Sequence, residues 1–304
     1  MHLKEFQERA RSTDQTRRAN TDSDPKTPTR HEVVPLLGLV GEVGGLLGEY
    51  KKRLRDGETH RSFPEEVAEE LGDILWYVAN VADKFGLDLE AIAADNLRKV
   101  SDRWLRPEGR RRLYDEELPV SQRLPRRFEY RFEERLVEGA SKVVMVDLLR
   151  GVDTGNPLTD NAYDDDGYRF HDVMHLAFAA LLGWSPVLRK LLRNPAHKVI
   201  ENRTPAEVDD AEDGGRGQVV EEAIVAAAYV YASEHGFLYG IEAIDWQLLR
   251  HIQKMTGKLE VGDRSTWEWN DTLLRGFAVW RDLRDHSGGT VVGDLERGTI
   301  EFRR

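Results

Sequence analysis

Acidic residues recur at helical spacing in two stretches of the first hundred residues. GLVGEVGGLLGEYKK holds Glu42 and Glu49, and EEVAEELGDILWYVAN holds Glu66, Glu70 and Asp73. At about 100° per residue, Glu70 and Asp73 fall one turn apart on one stripe, with Glu66 one turn before Glu70. Like charges at that spacing repel, and a divalent cation between them relieves the repulsion. Hard carboxylate oxygens suit Mg²⁺, or Mn²⁺, far better than zinc. A cation held that way points to phosphate-ester or phosphoanhydride chemistry. In that chemistry Glu66 is a candidate base to orient and deprotonate water, or else a solvated helix acid. Glu49 is either a further ligand or the partner of Lys52 or Arg53 on its own helix.

A second cluster lies in NAYDDDGYRFHDVMHLAFAALLGWSP, residues 161–186. His171 and His175 stand one turn apart with Asp172 between them, which is metal-ligand spacing. Glu221 and Glu222 open another apolar stretch, and Glu222 completes a candidate set for a transition metal. The doublet His171-Asp172 is similar to that of HD-type phosphohydrolases, which need an earlier histidine. None lies between His60 and His171. The competing reading makes these histidines structural, capped by Asp164 to Asp166 or buried with Glu222.

Composition narrows the field. The chain has 304 residues, room for two domains, and a formal net charge of −11. An acidic surface repels duplex nucleic acid, so a free nucleotide carrying its own cation is the easier polyanion to accommodate. Without cysteine there is no disulfide, thiol nucleophile or cysteine zinc site. The charged start MHLKEFQERARSTDQTRR is no signal peptide, and the apolar run from Ala223 to Ala232 is too short to span a bilayer. The expectation is a cytoplasmic protein with no membrane partner.

The elements that must position these residues are mostly helical by period. Helices are expected from Leu3 to Arg18, from Val33 to Arg55, from Phe63 to Phe85 after a Ser62 cap, and from an Asp88 cap to Leu105. Thr21 to Arg30 reads as a loop. Gly38, Gly41, Gly44, Gly45 and Gly48 crowd the second helix, each costing about 1 kcal/mol there, and close helix packing is the expected compensation. Residues 107–127 read as a linker. Beyond it, helices are expected at 128–150, 170–192, 217–233, 243–256 and 271–284, then a short hairpin at 290–302. The fold class is therefore all-α: a helical bundle in 1–106, then a mainly helical domain in 128–304 with a C-terminal β-hairpin.

Three pieces in order, GEVGGLLGEYKK, EELGDILWYVANVADKFGLDLEAIAADN and NLRKVSDRW, resemble MazG-type all-α nucleoside triphosphate pyrophosphohydrolases over residues 6–104. The stretch around His171 resembles the region that follows MazG domains in some longer bacterial proteins. The resemblance implies a Mg²⁺ site built from a Glu-x-x-Glu and a Glu-x-x-Asp. Glu42, Glu70 and Asp73 match, whereas Gly45 stands where the family has an acid. It further implies water attack at the α-phosphate, release of a nucleoside monophosphate and pyrophosphate, and a homodimer or higher oligomer. By similarity to the family's closing segment, Asn96, Lys99 and Arg103 would contact the triphosphate, with Lys51 and Lys52 as further cations. Trp76, Tyr77 and Asn80 follow Asp73 and are candidates for holding the base, or ordinary core residues. Gly45 leaves open a nucleotide-sensing module with little hydrolysis. A phosphohydrolase centred on the second cluster is the other alternative.

Overall fold

The computed structural model describes residues 1–15, 30–108, 112–118, 120, 123–192 and 214–304. The chain divides into two compact units, 1–101 and 102–304.

The first unit is helical: α1 (Leu3–Thr13), α2 (Arg30–Asp56), α3 (Phe63–Lys84) and α4 (Leu89–Trp104), the last turn of which belongs to the second unit. The end expected for α1 at Arg18 and most of the loop at 21–30 lie outside the described residues. Ser62 makes no side-chain cap at α3, whose start is set by Pro64 in the first turn. Asp88 does cap α4, its Oδ1 accepting from the backbone N–H of Glu90 at 2.8 Å and of Ala91 at 3.2 Å. The buried apolar cluster is thin: Ala10, Ala79, Ala82 and Leu89, with Phe6, Trp76 and Val78 packed against it.

Two glycines of α2 fix its packing on α3. A Cβ at position 38 would fall on the Tyr77 ring, and one at position 45 on the Glu70 carboxylate. Advancing from 38 to 45 on α2 thus means retreating from 77 to 70 on α3, so the pair runs antiparallel in a defined register. Gly41, Gly44 and Gly48 meet nothing within 4 Å. Close packing on α3 therefore accounts for two of the five glycines.

The second unit keeps most of the expected helices but corrects the expectation that its β-structure is only a short C-terminal hairpin. It is built on a five-stranded antiparallel sheet of order β3-β2-β1-β4-β5. Its strands are β1 (Arg127–Val137), β2 (Ala140–Asp147), β3 (Val152–Leu158), β4 (Gly288–Asp294) and β5 (Thr299–Arg303). The expected helix at 128–150 is the β1–β2 hairpin. Phe128, Tyr130 and Phe132 are buried at a period of two, with charged residues between them. Glu138 and Gly139 both take positive φ in the two-residue turn. The expected C-terminal hairpin is β4–β5, and β4 pairs with β1 to join the larger sheet.

Among the described residues, five helices accompany the sheet: α5 (Asp172–Leu182), α6 (Pro186–Leu191), α7 (Gly214–Glu234), α8 (Trp246–Thr256) and α9 (Thr266–Asp285). Every residue of α5 is buried, so it reads as the central core helix rather than an amphipathic surface one. Gly183, at φ 72°, ends it in the left-handed conformation that favours glycine. α9 lies close against it, because a Cβ at Gly276 would stand 2.9 Å from Met174 Sδ and 3.1 Å from Ala177 Cβ. α9 begins at a Ser265–Glu268 capping box, earlier than the expected Asp271. Residues 107–127 are no free linker where described. Leu113 and Leu124 are buried in the core of the second unit, and buried Asp115 accepts from Leu124 N and Arg126.

Candidate active site

The α2–α3 register brings the acids of the first unit together. Since 38 faces 77 and 45 faces 70, the same register sets Glu42 opposite Asp73 and Glu49 opposite Glu66. Glu70 lies between these pairs, its carboxylate across the Cα of Gly45. Its Oε2 is buried and has no hydrogen-bond partner. Burial first, then the charges of Glu42, Glu49, Asp73 and Glu69, raise its pKa above the ordinary carboxylate value. The position read in sequence as a lost ligand is thus where the Glu70 carboxylate rests. A Cβ there would displace the end of the Glu70 side chain.

Glu49 is buried, and both oxygens are engaged. Oε1 accepts from Lys52 Nζ at 2.5 Å and Oε2 pairs with His60 Nε2 at 2.9 Å. The Lys52 hydrogen bond, aided by His60, holds the Glu49 carboxyl below its usual pKa despite burial. Lys52 is raised in turn by Glu49 and, more weakly, by Glu66 and Glu70. Lys52 therefore stands as the cation beside the acid cluster, and the salt-bridge reading of Glu49 describes its contacts. His60 carries no motif; it enters because the short turn after α2 brings it back eleven residues from Glu49.

The remaining candidates separate. Trp76 donates its indole N–H to Thr13 Oγ1 at 2.8 Å and packs on the small core beside α1. Asn80 is only 1% exposed and donates to the Trp76 carbonyl. Asn80 is thus buried and engaged within its own helix, whereas Trp76 is half-buried between α1 and α3. Tyr77 fits against Gly38. Lys51, Asn96 and Lys99 are exposed. Arg103 stacks over Trp246, 4.4 Å from its ring centroid, within the second unit.

In the second unit His171, Asp172 and His175 are buried, with one ligand atom of each within 4.8 Å of the others. His175 Nδ1 pairs with Glu221 Oε1 at 2.8 Å, and Glu222 Oε2 stands 3.6 Å from His175 Nε2. Burial alone would lower the His175 pKa, but Glu221 and Glu222 outweigh it and carry it up to about 10. The capping expected from Asp164 to Asp166 goes elsewhere for two of the three. Asp165 pairs with Arg169, and Asp166 accepts from Tyr168 N.

Comparison with known proteins adds two family matches. Residues 35–105 match the MazG nucleotide pyrophosphohydrolase domain, and residues 109–304 match the MazG C-terminal domain. Over 69 residues the chain is 38% identical to the Gene 37 protein of Mycobacterium phage L5, covering 22% of this chain and 60% of that protein. No solved structure matches.

Proposed function

This chain belongs to the MazG family, and we propose that its first unit hydrolyses a nucleoside triphosphate to the monophosphate and pyrophosphate with Mg²⁺. The observation that carries the reading is Glu70, whose buried Oε2 lacks any donor while carboxylates surround it. A shielded carboxylate oxygen among other carboxylates is costly unless a cation is supplied. Glu42, Glu70 and Asp73 would hold a divalent ion, which Mn²⁺ could replace. When bound, that ion neutralises phosphate oxygens and polarises the attacked phosphorus.

The chain's own residues do the rest. Glu66 accepts a proton from water as the water oxygen bonds to the α-phosphorus. The bond from that phosphorus to the α,β-bridging oxygen breaks, and pyrophosphate leaves with its electron pair. Lys52, fixed by Glu49, adds positive charge beside the phosphates, and exposed Lys51, Asn96 and Lys99 are the further contacts. By length and composition the helix Glu32–Thr59 is apolar enough to cross a membrane. Glu42 and Glu49 face α3, however, while Leu37, Val40, Leu47 and Leu54 are 65–86% exposed. A second copy of the chain covering that face is the reading this favours.

One observation favours a second reading. Lys52 and His60 engage both oxygens of Glu49, and a cation set without it has three carboxylates, which suits a nucleotide sensor with weak turnover. Pyrophosphate release over a panel of nucleotides, with Mg²⁺ or Mn²⁺, separates the two. Turnover of a triphosphate supports the enzyme. Tight cation-dependent binding without turnover supports the sensor.

A further inference from the structure

The second unit contains a group of side chains that the nucleotide chemistry above does not use. His171 Nδ1 lies 2.8 Å from the Tyr168 carbonyl, and its ring stacks on Tyr168 at 4.3 Å between centroids. His175 Nδ1 lies 2.8 Å from Glu221 Oε1. A carbonyl and a carboxylate only accept, so both Nδ1 atoms carry hydrogen and donate. Each ring is thereby oriented with its Nε2 left for another partner.

What fixes Glu221 makes this a built arrangement. Its carboxylate is fully buried and also accepts from Ser185 Oγ at 2.6 Å and from Val187 N at 2.8 Å. A carboxylate locked by three donors that grips the far side of an imidazole is the usual outer partner of a metal-bound histidine. His175 Nε2 is buried without a hydrogen-bond partner, the residue being 0% exposed. Around it stand Glu222 Oε2 at 3.6 Å and the His171–Asp172 pair, whose Nε2 and Oδ1 are 3.6 Å apart.

We propose that the Nε2 atoms of His171 and His175, with the carboxylates of Asp172 and Glu222, bind a divalent first-row transition ion. Two ligands with bonds of about 2.1 Å at a tetrahedral angle stand about 3.4 Å apart. Separations of 3.6 Å, and of at most 4.8 Å within the histidine–aspartate trio, reach that by small rotations of the side chains. Two imidazoles with two carboxylates select zinc, iron(II) or manganese(II) over Mg²⁺. Glu222 is 50% exposed, so the ion is reached from solvent on its side. Glu221 is a positioning residue: it aims His175 without touching the ion.

The competing occupant is a proton on His175 Nε2 answering Glu222. The full-length chain, stripped with chelator, is titrated with Co²⁺, followed by visible absorption and competed with Zn²⁺, with elemental analysis of the product. The proposal expects one tightly held ion per chain that persists in the Glu70→Gln/Asp73→Asn double variant. It expects that ion to be lost in His171→Gln and Glu222→Gln, and weakened about 10- to 100-fold in Glu221→Gln. His175→Ala would strip a partner from buried Glu221 and threaten the fold, so His171 and half-exposed Glu222 carry the test. Circular dichroism confirms that each variant stays folded. An ion lost with Glu70 and Asp73, an ion indifferent to His171→Gln and Glu222→Gln, or none bound at all would overturn the proposal.

Discussion

The two units of this chain bury different things. The second hides Trp184, Trp269, Trp280, Phe178 and Phe277 in one continuous core around a helix with no exposed residue. Among its described residues the first has a buried apolar cluster of three alanines and a leucine, and leaves Leu37, Val40, Leu47 and Leu54 on the outside of α2. Since stability scales with apolar area removed from water, the second unit stands on its own packing. The first is short of core, and the dimer proposed for it would supply the missing burial. The charges differ as well. Glu70 is half-buried with one carboxylate oxygen shielded and without a donor, whereas Glu221 is fully buried with three donors. The one is an arrangement that wants a cation, the other an arrangement that orients a histidine.

That contrast can be broken by mutation. Phe277→Ala, in the core of the second unit, should cost about 3–5 kcal/mol, seen as a large fall in the denaturation midpoint. Leu47→Ala on the exposed face of α2 should cost little in a dilute monomer. Leu47→Asp should shift sedimentation toward the monomer without lowering the helical signal. Were Leu47→Ala as damaging as Phe277→Ala in a monomeric sample, the thin-core description would fail.

Gly45→Ala sharpens the description of the acid cluster. Its Cβ would push the Glu70 carboxylate aside, and a ligand displaced by about 1 Å costs on the order of 100-fold in turnover. Restoring an acid with Gly45→Glu should likewise hurt, because Glu70 already fills that space. Calorimetric titration of Mg²⁺ alongside the rate assay tells loss of cation binding from loss of fold.

A smaller effect is expected at Asp160. Burial would raise its pKa, but Arg169, with the backbone N–H groups of Arg169 and Gly167, outweighs burial and holds it at about 2. A depressed carboxyl contributes stability above its unfolded pKa of about 3.9, and that contribution is lost as pH falls toward 2. Asp160→Asn should therefore be less stable than wild type at neutral pH and should flatten the acid limb between about pH 4 and 2. Thermal melts across that window check it. The smallest effect is Ser265→Ala, which removes one half of the α9 capping box and should cost about 1 kcal/mol.

The helices of the first unit were legible because α2 and α3 carry long apolar periods and α4 has a working aspartate cap. Periodicity put Glu70 and Asp73 on one stripe, and the family resemblance joined Glu42 to them. The engagement of Glu49 by His60 depends on the path of a turn, which no spacing rule encodes. Gly45 was read as a gap because a sequence shows what a residue lacks, not which neighbour fills the space. The sheet was missed for a physical reason. Phe128, Tyr130 and Phe132 alternate as a strand should, but glutamates and arginines between them also suit a helix, and β1 pairs with β4 some 160 residues later. The turn at Glu138-Gly139 and the Ser265-x-x-Glu268 box were local signals that could have been read.

The central claim is that Glu70 and Asp73 serve a cation used in cleaving a nucleoside triphosphate. The most direct measurement is Mg²⁺-dependent pyrophosphate release by the full-length chain, its Glu70→Gln variant and its Asp73→Asn variant, each checked for native helicity. The account predicts turnover in the wild-type chain and its loss, by about 100-fold or more, in both folded variants. Near wild-type turnover in either variant would contradict it.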